Sequence, residues 1–177
     1  MVRTSLRGRM RQIADGNEAA LGHSDFTVMF AATHRYSTGV PLVDAQWDFR
    51  RARRAYLAAR LGRWVRRCRC ANRPRVLAAA AVLAAGPSRL EVVSLGAIVG
   101  TLEPTPGFDS QFRPASEVLR RRWEQIALAH RRGIGLPPVV LRRQRDGYYV
   151  VDGRHRVSVA RALRLGDIDA WVTGPQR

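Results

Sequence analysis

Asp152-Gly153-Arg154-His155-Arg156 stands between an apolar run, Tyr148 to Val151, and an apolar-periodic segment, Val157 to Leu165, and the reading of this stretch decides the fold. It reads as strand, tight basic turn and helix. Aspartate and glycine let the chain reverse at low steric cost. Three cationic or titratable side chains then arrive where a helix start exposes unpaired N–H groups. Such a place favours an anion, phosphate first among them. The same five residues also make a plain turn with solvated arginines, so the rest of the chain has to decide between the two readings.

Working outward, the flanking segments alternate between strand and helix. Leu90 to Leu95 and Ala97 to Thr101 are rich in β-branched residues and read as one or two strands. Pro104 to Gly107 is a loop leading to Arg113-Pro114, where proline suits the first turn of a helix. That helix shows an apolar face of Leu119, Trp123, Ile126, Ala127 and His130, with Arg120, Arg121, Arg122, Arg131 and Arg132 on its polar side, and Gly133 ends it. Pro137-Pro138 leads into a strand at Val139 to Leu141. A polar turn over residues 142–147 returns the chain into Tyr148 to Val151. After the basic turn the helix closes at Gly166, and Ile168 to Val172 supplies a last strand.

The 177-residue chain carries a formal charge of +17, and all 31 of its basic residues are arginine. Exclusive use of arginine alongside many alanines fits a GC-rich coding bias, so the net charge, not the choice of cation, bears on function. A charge of this size concentrates polyanions, DNA being the commonest, around the molecule. From Arg50 to Arg75 there are 11 arginines and no acidic residue. Leu57, Leu61, Trp64 and Cys68 recur there at helical spacing after Asp44, a suitable N-cap. Arg50, Arg51, Arg53, Arg54, Arg60, Arg63, Arg66 and Arg67 are the candidate DNA contacts, set against a solvated helix whose arginine stems cover apolar neighbours. Pro74 ends this helix. Val76 to Ala85 reads as a short second helix, the pair forming a helical hairpin.

The expected organisation is therefore a poorly ordered segment over 1–43, an arginine-rich helical extension over 44–86, and a main α+β domain over 87–177. Cys68 and Cys70 are too close on a helix to bridge, and with His23, His34, His130 and His155 they show no zinc-binding spacing, so no metal site is expected. The longest apolar run is about half the roughly 20 residues that cross a bilayer. A cytoplasmic protein without membrane contact is expected.

The order of these elements across residues 90–173 resembles the N-terminal domain of the ParB and sulfiredoxin superfamily. The resemblance is carried most specifically by Gly135-Leu136-Pro137-Pro138-Val139-Val140-Leu141 and by Tyr149 through Leu163 around the basic turn. It implies a small mixed sheet with packed helices and a glycine turn that holds nucleotide phosphates. That role falls on Asp152, Gly153, Arg154, His155 and Arg156, with Arg113 near the place of an upstream family arginine. A nucleoside triphosphate with Mg2+ is the cofactor implied. Sulfiredoxins need a cysteine where Arg154 stands, so thiol reduction is not expected. Arg154-His155 also differs from the acidic residue and arginines of partition proteins, which leaves the nucleotide open. The superfamily includes kinases with a carboxylate base, for which Glu103 is the candidate. The leading expectation is a nucleotide- or phosphate-binding protein associated with DNA. The alternative is a phosphoryl-transfer enzyme or nuclease using Asp152, His155 and Glu103 as acid, base or metal ligands. Oligomeric state is not legible.

Overall fold

The computed structural model describes residues 37–66, 72–77 and 87–174. They form an α+β arrangement of six strands and three α-helices. The strands are β1 (Arg75–Val76), β2 (Arg89–Ser94), β3 (Ile98–Thr101), β4 (Val139–Gln144), β5 (Gly147–Asp152) and β6 (Asp167–Thr173). The helices are α1 (Pro41–Val65), α2 (Arg120–Arg131) and α3 (Arg154–Ala162). The sheet is mixed, in the order β1-β3-β5-β4-β6-β2. β3 runs parallel to β5 and β4 parallel to β6, while the β4–β5 and β2–β6 pairs are antiparallel. The expected strands on either side of Gly96 are thus two, β2 and β3, joined by a 3-10 turn at Leu95–Ala97.

Helix α3 holds the molecule together because it is buried on two sides. Val157 and Ala160 pack into the core made by Val139, Leu141, Val150, Ala170 and Val172 of the sheet. Val159 and Leu163 face instead a second core of Ala45, Phe49 and Ala52 from α1 and Trp123 and Ala127 from α2. The Trp123 indole meets Phe49 edge-on at 5.5 Å and donates its N–H to the Ser158 hydroxyl at 2.9 Å, which satisfies both polar groups inside the core.

Several expectations change at α1. The helix begins at Pro41, with Val40 as N-cap, so Pro41 to Val43 belong to it and Asp44 lies inside its first turn. The Asp44 carboxylate accepts instead from the Thr38 amide and hydroxyl, both at 2.8 Å, and from the Ser37 hydroxyl at 2.9 Å. The apolar stripe also falls elsewhere. Ala45, Phe49 and Ala52 are buried, whereas Leu57, Leu61 and Trp64 are 47%, 60% and 77% exposed. The reason is length: at about 1.5 Å per residue, α1 runs about 37 Å and α2 about 18 Å, so the second half of α1 extends past its partner. Cys68 and Arg67 lie outside the described residues.

Val76 does not open a helix. Arg75 and Val76 pair with Gly100 and Thr101 as an edge strand. The approach is so close that a Cβ on Gly100 would sit 2.3 Å from the Arg75 carbonyl oxygen. The rest of that expected helix falls outside the described residues.

Arg113-Pro114 does not start a helix either. Asp109, 1% exposed, accepts from the amides of Gln111 and Arg113 at 2.9 and 2.8 Å, which holds this loop away from helical dihedrals. A 3-10 turn begins instead at Glu117, with the Ser116 hydroxyl accepting from the Val118 amide. At the far end of α3 the left-handed residue is Arg164 (φ +60°), with the Leu165 amide bonded to the Ala160 carbonyl, so the helix stops before Gly166.

Among the described residues, no helix is long and apolar enough to cross a membrane.

Candidate functional site

β5 ends at Asp152 and α3 starts at Arg154, with Gly153 between them at φ +99°. A Cβ at Gly153 would come within 2.6 Å of Val139 Cγ1 and 2.9 Å of Val139 Cβ, so the turn requires glycine for both its dihedral and its contact with β4. Among the described residues no side chain caps the start of α3. The first amides of this helix are therefore available to an anion.

A cavity of about 230 Å³ opens at this turn. The loop before α2 contributes Thr105, Gly107 and Phe108, α2 contributes Arg122 and Ile126, and the turn contributes Asp152 to Arg156. His155 packs edge-on against Phe108, with ring centroids 5.2 Å apart. Burial pushes its pKa down to about 4, the charges of Arg122 and Arg154 add to this, and Asp152 opposes it. At neutral pH the imidazole is uncharged and offers one donor and one acceptor. Arg154 faces only a distant carboxylate, Glu103 at 3.9 Å, on a side chain 74% exposed. Such a contact neutralises little.

The sequence-derived residues divide on this geometry. Gly153, Arg154 and His155 line the cavity with their donors or charge available. Arg156 also lines it but is engaged elsewhere: Nη1 donates to the carbonyls of Pro137 and Pro138, the latter at 2.8 Å, and Nη2 to Asp152 at 2.7 Å. Arg156 and Asp152 thereby pin the turn to the entry of β4. Arg113 is not with this group; its Nε donates to Asp109 at 2.9 Å and its Nη1 to the Ala55 carbonyl at 3.1 Å. Arg122 is the cation that sequence reading placed only on a polar helix face. Its signal, one arginine in a run of three, does not distinguish it from Arg120, which pairs with Glu124 at 2.7 Å.

The basic helix is likewise heterogeneous. Arg51 pairs with Asp48, and Arg53 lies 3.5 Å from Glu117 and over the Tyr56 ring. Arg50 stacks on Trp47. Arg54, Arg60 and Arg66 are exposed and Arg63 is partly so. Arg131, expected on the polar side of α2, is 4% exposed and sits between Asp44 at 3.3 Å and Asp48 at 2.6 Å. Burial works against the Asp44 charge, but the hydrogen bonds from Thr38 and Ser37 and the Arg131 charge outweigh it and hold its pKa below the usual carboxylate value. Among the described residues no group of three or more His, Cys, Asp or Glu side chains is placed to hold a metal ion.

Fold and site together define an α+β protein with a six-stranded mixed sheet and a basic pocket at a strand-to-helix turn. No protein family, no curated protein and no solved structure matches the chain.

Proposed function

We propose that this is a ParB-like phosphate-binding protein that holds the phosphate end of a nucleotide at the Gly153 turn and associates with DNA. The observation that carries the reading is the convergence of Arg122, Arg154 and His155 on the uncapped start of α3. Phosphate oxygens would accept from the first amides of the helix and from the two guanidinium groups. The neutral His155 would donate one N–H. Enclosed small-molecule sites run to about 300–1,000 Å³, so a cavity of about 230 Å³ takes phosphates and leaves ribose and base outside.

The donor set suits a nucleoside triphosphate. Among the described residues Asp152 is the one carboxylate lining the cavity, and it is bonded to Arg156. A magnesium ion would thus be carried chiefly by phosphate oxygens and water, as this ion prefers. The order of elements over residues 90–173 supports placing the chain beside the ParB and sulfiredoxin superfamily. The exposed arginines Arg54, Arg60 and Arg66 support the DNA association. With Cys68 and Cys70 apart from the turn in sequence and Arg154 within it, the reading contains no thiol chemistry.

The test is a thermal-shift screen of the full chain against the common nucleoside triphosphates with Mg2+. A stabilising shift that disappears in Arg122→Gln is expected, and the absence of any shift would remove the reading. Glu103, whose exposed carboxylate lies 3.9 Å from Arg154, favours one second reading, phosphoryl transfer with Glu103 as base. It expects phosphate release that Glu103→Gln abolishes while nucleotide binding persists.

A further inference from the structure

The opposite end of α3 closes a second and larger cavity, of about 1,420 Å³, bounded by α1, β1, the 3-10 turn after β2 and the loop through Ser110 to Arg113. Arg51, Arg73, Arg75, Arg113, Arg131, Arg161 and Arg164 line it, and among the described residues no aspartate or glutamate does. Some of these cations are matched from behind the wall: Arg51 by Asp48, Arg113 by Asp109, and Arg131 by Asp44 and Asp48. Arg75 meets Asp146 at 3.5 Å with both side chains largely exposed, which counts for little. Arg73, Arg161 and Arg164 have no carboxylate at ion-pair distance among the described residues.

Arg161 is the unusual member. Its guanidinium lies 5.0 Å from the centre of the Phe112 ring, and Nη2 donates to the carbonyls of Leu95 and Ile98 at 2.8 and 2.7 Å. Phe112 reaches that position from a left-handed backbone, φ +58°, a conformation that is unfavourable for a bulky residue. Burial pushes the Arg161 pKa down, against the opposing charge of Asp109. The fold therefore keeps a fixed cation, bonded to two carbonyls and stacked on an aromatic ring, in a concave wall rich in positive charge.

We infer that this groove is a binding site for single-stranded nucleic acid, distinct from the phosphate pocket at the other end of α3. Its volume exceeds the roughly 300–1,000 Å³ that suits a small molecule, so it has room for several linked nucleotides. Duplex DNA is a stiff rod over this length and would rest on the rims. A single strand bends into a concavity, its phosphates following the arginines while sugars and bases lie on apolar wall. Ala55, Val99 and Leu165 provide that wall between the cations. An acidic peptide would use the charge but not the apolar surface.

The experiment is fluorescence anisotropy of the full chain with fluorescein-labelled dT12 and rU12, across 50 to 300 mM salt, with a 12-base-pair duplex and an oligo-glutamate peptide as competitors. Saturable binding is expected that both competitors displace poorly. The Arg73→Gln, Arg164→Asn double variant should lose about tenfold in affinity at 100 mM salt, and its salt slope should fall by about 1.4, the share of two phosphates on a single strand. Asparagine suits the left-handed backbone at 164. If the double variant melts early, Arg73→Gln alone, on an exposed side chain, should still lose half that slope. Arg89→Gln, an exposed arginine outside both cavities, should leave the affinity unchanged. The sugar preference follows from the ratio of dT12 to rU12 binding, and either result supports the site. Absence of binding at 50 mM salt, indifference to the arginine substitutions, or stronger binding of the duplex or the acidic peptide would overturn it.

Discussion

Two clusters of charge lie on either side of α2, and they treat their cations in opposite ways. Between α1 and α2, Arg131 is 4% exposed and is met by Asp44 and Asp48, themselves almost fully buried. At the Gly153 turn, Arg122 and Arg154 stand close enough to depress His155, yet the nearest ion-pair carboxylate to Arg154 is at 3.9 Å. The first cluster is complete without a ligand. The second is a local excess of positive charge that the fold maintains. The number of arginines in a segment therefore says little about binding, whereas the carboxylates that tertiary structure brings to each one decide its role.

This contrast can be broken most severely at Arg131. Arg131→Met should cost about 3–5 kcal/mol, because it removes the buried counter-ion of two buried carboxylates. Urea denaturation measures the loss, and adding Asp44→Asn with Asp48→Asn should recover much of it. A cost near zero would mean that the cluster is hydrated and not a buried ion pair.

Gly153→Ala comes next. With φ +99° and Val139 Cγ1 2.6 Å from the new methyl, a loss of about 2–3 kcal/mol is expected, together with loss of any nucleotide-induced stabilisation. Arg122→Gln should do the reverse of Arg131→Met. Its own stability should stay within about 0.5 kcal/mol of the parent, as for other surface changes, while the nucleotide shift disappears. A variant that bound nucleotide normally would show that Arg122 is only a solvated helix residue.

The smallest effect is one of pH. His155 titrates at about 4 in the folded chain against 6.5 ordinarily. The folded state thus holds it neutral while the unfolded chain takes up a proton. Its contribution is fully present above pH 6.5 and is lost as pH falls toward 4. His155→Gln should flatten stability across that window. A bound anion, by raising the folded pKa against the opposing charges of Arg122 and Arg154, should narrow the window. Asp44 contributes below it: its lowered pKa gives stability present above the ordinary carboxylate value and lost on further acidification. Thermal melts at stepped pH, with and without inorganic phosphate, distinguish the two groups.

Much of the C-terminal half is legible from local pattern. The strands beside Gly96, the proline-entered β4, the turn into β5 and the helix after Gly153 all appear where periodicity and turn residues place them, with boundaries moved by a few residues. Pattern fails where a distant partner intervenes. Asp44 reads as a cap but serves Thr38 and Arg131. Arg156 reads as a phosphate ligand but is held by two proline carbonyls, and Arg113 resembles a site arginine but lies on the other side of α3.

By itself the sequence determined the α+β character, the place of the basic glycine turn and the large excess of positive charge, because each depends on neighbours along the chain or on composition alone. Tertiary structure decided which half of α1 is buried, how Arg75 and Val76 join the sheet, and which arginines remain unmatched. Those outcomes depend on helix lengths and on carboxylates up to 87 residues away along the chain, as between Asp44 and Arg131. No local period records such distances, and Coulomb interactions act on separation in space.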